Sequence, residues 1–327
     1  MIFDHVSSPP GTAPTVSVDD LEALRGPLTG YCYRMLGAAA DTDDAVQETV
    51  IRAHRSLDRF DPSRARLSTW VHAIATNVCL DMLRGASRRA LLMDVPPAVG
   101  GDIGAPLPPD RWVEPMPDSR LLGAADPGDV VVRRETVRLA FVAALQHLPP
   151  RQRAVLILRD VLAYSAHECA DILETSIPAV NSALQRARGT LEAVRPAPAD
   201  VLDPDDEQQQ ELLRRYVAAF EAHDVDRLAM LLREDAITSM PPFMWWLQGP
   251  ERIASLMAAS DACSQDRLLP TAINGSPGLA QYRPDQDGSL RPFALVLLEL
   301  REGRVAHTVT FLGSAGRFAE FGLPEVQ

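Results

Sequence analysis

Asp41, Asp43, Asp44, Gln47 and Glu48 crowd one short stretch of the chain, and Phe60, Trp70 and Asn77 follow within the next. Neither set is equipped to make or break bonds. Carboxylates in the first turn of a helix are favoured by its dipole and need no partner, so the first set is a solvated helix start or an acidic docking face. The second set could form a base-binding platform. Unpaired bases stack on aromatic side chains for about 1–3 kcal/mol each, and an amide beside them can hydrogen-bond a base edge. Trp70 with Val71, Ile74 and Val78 would equally build the inner face of a helix. Arg59, Arg64, Arg66, Arg84, Arg88 and Arg89 crowd the same region, where they suit phosphate contacts that fix register without reading sequence.

Groups for covalent chemistry are scarce. His223, Asp224 and Asp226 lie at a turn between two helical patterns, where capping is the expected role, and His307 sits on an apolar strand as a core histidine would. Cys32, Cys79, Cys169 and Cys263 are widely spaced, with no C-x-x-C pair, and read as free thiols rather than a disulfide framework or zinc site. No catalytic residue, metal or cofactor is expected.

The elements that position these residues follow from periodicity. From Asp19 to about Leu92 apolar residues recur at helical spacing, as in Leu21, Leu24, Leu28, Tyr31 and Met35 and again in Ala45, Val46, Val50, Ala53 and Leu57. Residues 94–129 are rich in Pro and Gly and read as a linker. A helix is expected from Val130 to Leu148, ended by Pro149-Pro150, and a second from Arg151 to about Leu162. Ser165 and Glu168 form a capping box for a short helix ending near Leu173; Ser176 caps a longer one with Val180, Leu184, Ala187 and Leu191 inward. Two helices joined by a tight turn at Glu174-Thr175 make a helix-turn-helix. Its outer face carries Asn181, Ser182, Gln185 and Arg186, able to reach base edges, and Arg188, better suited to phosphate. Beyond the acidic stretch Asp200–Glu211 come two amphipathic helices, Leu212–Ala222 and Val225–Leu232. Strand signals follow at Ile237–Met240, Phe243–Leu247, Leu279–Tyr282, Phe293–Leu300 and Arg304–Leu312, with turns at Gly288 and Glu302-Gly303. The expected fold class is multidomain: two all-α modules, then an α+β domain. The expected divisions are a tail at 1–18, modules at 19–93 and 130–196 about the linker at 94–129, and the acidic tether with its α+β domain at 197–327.

The net charge of −12 is unlike that of a nucleic-acid binder, but the average conceals a division. The chain has no lysine; six arginines crowd the region from Arg59 to Arg89, and six acids crowd Asp200–Glu211. No apolar run approaches the length of a membrane span, and the N-terminus lacks the basic start of a secretory signal. A cytoplasmic protein is expected.

The segments Asp41–Thr49 and Leu67–Asp81 resemble region 2 of bacterial sigma factors of the extracytoplasmic-function group, and Leu148–Arg188 resembles region 4, in the order and spacing of that family. The resemblance implies a cytoplasmic, dissociable subunit of core RNA polymerase that directs it to promoter DNA. Asp41, Asp44, Gln47 and Glu48 would dock on the clamp coiled coil of the largest polymerase subunit, with region 4 near the flap. Phe60 and Asn77 would hold a flipped base of the −10 element, with Arg64, Arg66, Trp70, Arg84, Arg88 and Arg89 contacting the same DNA. Asn181, Ser182, Gln185, Arg186 and Arg188 would read the −35 element. The C-terminal part is similar to the SnoaL-like branch of the nuclear-transport-factor fold, whose cavity would be lined here by Met240, Phe243, Trp245, Trp246, Tyr282, Phe293 and His307. It implies a fused regulator, with a small ligand left open. Regulation would run through an acidic tether held near Arg84, Arg88, Arg89 and Arg186, and through Trp112, in Trp112–Asp118, packed between domains. Two other readings stand beside it: a ligand-sensing helix-turn-helix transcription factor, and a SnoaL-type isomerase or cyclase tethered to a DNA-binding head.

Overall fold

The structure is a computed structural model that describes residues 16–84, 103–108, 111–122, 134–194, 199–200, 203 and 205–326. Arg88 and Arg89 lie outside the described residues. The N-terminal module is four helices, α1 (Val18–Glu22), α2 (Arg25–Leu36), α3 (Ala39–Arg55) and α4 (Leu67–Met82). Ser17 and Asp20 close a reciprocal capping box at the start of α1. Gly37, left-handed at φ 76°, ends α2. The apolar faces of these helices bury Leu28, Tyr31, Met35, Val46, Val71 and Val78 among them.

A short helix, α5 (Asp118–Leu121), lies in the linker. The second module comprises α6 (Leu139–Leu145), α7 (Pro150–Leu156) running into a π turn at Ile157–Val161, α8 (Ala166–Ile172) and α9 (Ile177–Val194). The helix expected through to Leu148 is interrupted at Arg138, which is extended at φ −53°, ψ 139°. That break lets its guanidinium reach the Ala199 carbonyl at 3.1 Å and Glu299 at 3.6 Å. The Ser165–Glu168 capping box forms, and Glu174 makes the turn at φ 49°.

The two helical modules share one core, in which Tyr31, Cys32 and Cys79 join Leu145, Leu158, Cys169 and Val180. Arg153, only 4% exposed, fastens them. Its guanidinium donates to the carbonyls of Leu145 at 2.9 Å and Leu148 at 3.2 Å, to Gln146 Oε1 at 2.6 Å and to the Met35 carbonyl at the end of α2. A buried cation is tolerated because every bond ends on an oxygen, several at helix C-termini where the dipole favours positive charge.

The C-terminal domain has α10 (Glu207–Glu221), α11 (Val225–Leu231) and α12 (Pro250–Ala258) against six strands: β1 (Leu232–Ser239), β2 (Trp246–Gln248), β3 (Arg267–Ile273), β4 (Ser276–Pro284), β5 (Leu290–Arg301) and β6 (Arg304–Leu312). The sheet order is β2-β1-β6-β5-β4-β3, with β1 and β6 parallel and the other pairs antiparallel. α12 and β3 were not among the elements expected from sequence. Pro270 hides β3, yet it sits on an edge strand, where a missing donor costs no ladder bond. Asp224 caps α11, its carboxylate accepting from the Arg227 amide at 3.0 Å, as expected of that turn.

One face of the sheet packs on α10–α12; the other packs on the linker and both helical modules. The second contact is a single apolar cluster of Tyr33, Val113, Met116, Val137, Val142, Ile273, Leu295, Phe311 and Phe318 among others. Trp112 is half-buried and outside it; Val113 and Met116 take the place expected for the tryptophan. The acidic tether also differs from expectation. Asp200 bonds the β5–β6 hairpin, through its amide to the Leu300 carbonyl at 2.7 Å and its carboxylate to the Gly303 amide at 3.1 Å. Asp206 caps α10 and Glu211 pairs with Arg214. These acids are engaged within their own domain, whereas Arg84 pairs with Asp81 and Arg186 bonds Ser182.

Candidate nucleic-acid interface

Phe60 and Trp70 stand ring to ring, centroids 5.3 Å apart and 44° tilted. Phe60 follows a short 3-10 turn at Leu57–Arg59, and Trp70 lies in the first turn of α4, which begins at Leu67. Asn77 is seven residues from Trp70, two helical turns, so it lies on the same face; its side chain is exposed. Arg64, in the loop between Phe60 and α4, is exposed. The three residues picked from sequence thus lie along one side of α4, with the two rings in tilted contact.

Arg66 is differently placed. Its guanidinium bonds Glu168 at the start of α8, and the adjoining Thr69 hydroxyl lies 3.5 Å from the same carboxylate. Arg66 and the Ser165 amide hold the Glu168 carboxyl down at about 2. Deeper in the contact, His72 stands between the Tyr31 and Tyr164 rings, its Nδ1 2.8 Å from the Ser68 carbonyl and 3.0 Å from the Tyr164 hydroxyl. Burial pushes His72 below its ordinary 6.5, and does the same to His307, against Glu299, which pulls the other way. The folded protein keeps both neutral while the unfolded chain takes up protons. Stability is therefore full above 6.5 and falls as pH drops through it. The urea midpoint should be lower at pH 5.5 than at pH 7.5, and His72→Gln should shrink the difference; an unchanged difference would show that His72 contributes nothing to it.

On α3, Asp44 and Gln47 are exposed and Glu48 is half-buried, bonded by Arg52 at 2.6 Å. Asp41 is half-buried at the start of the helix. Asp43, beside Asp44, is bound by Arg120 of α5, whose other nitrogen is 3.5 Å from Glu320 of the C-terminal domain. On α9, Asn181, Ser182, Gln185, Arg186 and Arg188 are all exposed while Val180, Leu184 and Ala187 face inward. Arg188 makes a bidentate pair with Asp160 at 2.7 and 2.9 Å. That pair orients the guanidinium and reduces the net charge it offers a phosphate.

Two profiles match in chain order: Sigma-70 region 2 over residues 21–89, and Sigma-70, region 4 over residues 138–191. Over 314 residues the chain is 46% identical to the ECF RNA polymerase sigma factor SigG of Mycobacterium tuberculosis, covering 93% of this chain and 83% of that protein. The chain belongs to the ECF RNA polymerase sigma factors. This sigma factor is also 33% identical over 220 residues to SigJ of M. tuberculosis, covering 67% of this chain and 63% of SigJ. The crystal structure of M. tuberculosis SigJ has the same overall fold, with a TM-score of 0.62 over 94% of this chain and 100% of that chain at 24% identity. The sigma factor is thus two helical sigma modules followed by an α+β domain built on a six-stranded sheet. No helix among the described residues is long and apolar enough to cross a membrane, and no group of three or more metal-ligating side chains forms among them.

The C-terminal domain of the sigma factor encloses a cavity of about 400 Å³. Met240, Trp245 and Phe293 line it, as expected from sequence; Phe243, Trp246, Tyr282 and His307 do not. Alternation along strands is the reason. Gln281 and Arg283 take the cavity face of β4, which turns Tyr282 to the interdomain cluster; Thr308 and Thr310 take that of β6, which turns His307 away to bond Ser239 Oγ at 2.9 Å. Phe243 pairs with Pro106 of the linker. Sequence reasoning missed Gln281, Arg283 and Cys263; a polar residue alternating with apolar ones on β4 was the available signal.

Proposed function

We propose that this sigma factor directs core RNA polymerase, in the cytoplasm, to promoters, opening the −10 element with the Phe60–Trp70–Asn77 surface and reading the −35 element with the exposed face of α9. The observation that carries the assignment is the contact between the half-buried rings of Phe60 and Trp70, on the helix face that also carries the exposed Asn77. An aromatic pair available at the surface of a helix start offers a flipped base a stacking partner. Docking on polymerase is assigned to Asp41, Asp44, Gln47 and Glu48. The −10 and −35 elements of a promoter are separated along the duplex, while the two modules here share one core, so binding must part the Arg66–Glu168 contact. The C-terminal domain acts as a fused regulator, since its Glu320 and the linker's Arg120 reach Asp43 beside the docking residues.

Phe60→Ala or Asn77→Ala should lower open-complex formation about tenfold or more, the equivalent of one lost base contact of about 1–3 kcal/mol, with core affinity unchanged. Permanganate reactivity of unpaired thymines reads this directly. A normal permanganate pattern in both variants would overturn the assignment. Trp70→Ala is a poorer test, because Trp70 also packs against the core.

A further inference from the structure

The cavity has a polar end built around one turn. Arg283 donates through Nε and Nη2 to Asp266, at 2.9 and 2.8 Å, and lies 3.6 Å over the Phe293 ring. Its Nη2 is also 3.4 Å from Cys263 Sγ. Nη1 makes no hydrogen bond among the described residues. His223, which lines the cavity from the α10–α11 turn, directs Nε2 towards Asp261 at 4.0 Å, and its Nδ1 is buried with no hydrogen-bond partner. His223 and Arg283 therefore flank the Asp261–Cys263 turn with one unused acceptor and one unused donor. The charge of Arg283 is already balanced by Asp266, which is 1% exposed. Most of the remaining wall is apolar, including Tyr216, Leu228, Trp245 and Ile253, and one wall residue, Ile103, comes from the interdomain linker. Linker residues are fastened there by the Leu107 amide, which donates to the Pro242 carbonyl at 2.8 Å.

We propose that this cavity binds a small neutral molecule with an apolar body and a hydroxyl group, and that the bound molecule presses directly on the linker between the two sigma modules through Ile103. A hydroxyl both donates and accepts, so it can satisfy His223 Nδ1 and Arg283 Nη1 together. A ketone satisfies only the arginine. A carboxylate adds a charge that no free cation in the wall balances, close to Asp261 and Asp266, and burying an unbalanced charge is costly. The volume lies within the range of ordinary ligand pockets, roughly 300–1,000 Å³. A site touching the linker makes occupancy felt outside the domain.

The test uses the full chain at pH 8 with the neutral fluorophore N-phenyl-1-naphthylamine as probe. The probe should bind and be displaced by 1-decanol at a concentration at least tenfold below that needed for decanoate, with 2-decanone between them. Decanoate displacing as well as decanol would overturn the assignment of the polar end. Ala229→Phe, which fills the cavity from α11, should weaken probe binding at least tenfold. Since a larger side chain there could disturb the helix, Ile103→Trp fills it from the linker and should do the same. Unchanged binding in both, or no binding to the parent protein, would overturn the site. Decanol should also slow hydrogen exchange at residues 103–108; unchanged exchange with the probe displaced would overturn the coupling to the linker.

Discussion

Reversing the charge of Asp44 and Glu48 should abolish capture of core RNA polymerase while leaving the helical bundle folded. Asp44 is exposed, and Glu48 makes a single partly exposed pair with Arg52, so their contribution to folding is small: exposed pairs are worth about 0–1 kcal/mol. Placing Arg at position 48 sets like charges four residues apart on α3, which costs only some tenths of a kcal/mol. At a desolvated interface the balance is different. Truncating one member of a bonded charge pair costs about 2–5 kcal/mol, and reversal adds repulsion, so Asp44→Arg with Glu48→Arg should weaken binding by about 100-fold or more. Circular dichroism should be unchanged and a core pull-down should fail. A folded double variant that still forms holoenzyme would move the docking surface elsewhere.

The second large effect is expected at Asn274. Its backbone is left-handed at φ 54° in the β3–β4 turn, and its side chain is fully buried where three parts of the chain meet. Nδ2 donates to the Tyr33 hydroxyl of α2 at 2.7 Å and to the Val137 carbonyl at 2.8 Å, while Oδ1 accepts from the Met116 amide of the linker at 2.8 Å. Asn274→Gly accepts the same backbone conformation and removes only these bonds. Leaving two backbone groups and a hydroxyl short of a partner, at about 1–3 kcal/mol for each group left unsatisfied, should lower stability by about 3 kcal/mol or more. The loss should be local: amide exchange at residues 113–118 and 134–143 should accelerate well beyond that in α8 and α9. A variant with wild-type stability would mean that the apolar cluster alone fastens the domain.

Much of this was legible beforehand because it depended on local signals. The capping box at Ser165, the pattern Val180, Leu184, Ala187 on α9 and the spacing of Trp70 from Asn77 are each set by residues within a few helical turns of one another. The cavity was only partly legible, since the choice of which strand face lines it depends on how the sheet is sandwiched; Tyr282 and His307 have the composition of cavity residues and the register of the other face. Asn274-Gly275 is a strong hairpin signal, yet nothing near it in sequence reveals that the asparagine side chain would tie Tyr33 and Val137. Glu168 showed itself as a capping residue, and its second bond to Arg66 depends on two modules meeting.

The cluster of Tyr33, Met116, Val137 and Val142 has its partners at Ile273, Leu295 and Phe311, which leave the ribosome much later. At about 5–20 residues per second, residues 200–311 take on the order of ten seconds to synthesise. Throughout that interval the sigma modules exist with their interdomain face open and without the C-terminal domain beside α3. A nascent chain is therefore in a different competitive state from a finished one: more adhesive, accessible to chaperones, and free of the Glu320 contact. A cut in the acidic tether at Asp200–Glu211 is a different event, because the apolar cluster and the Asn274 bonds still hold the finished domain in place.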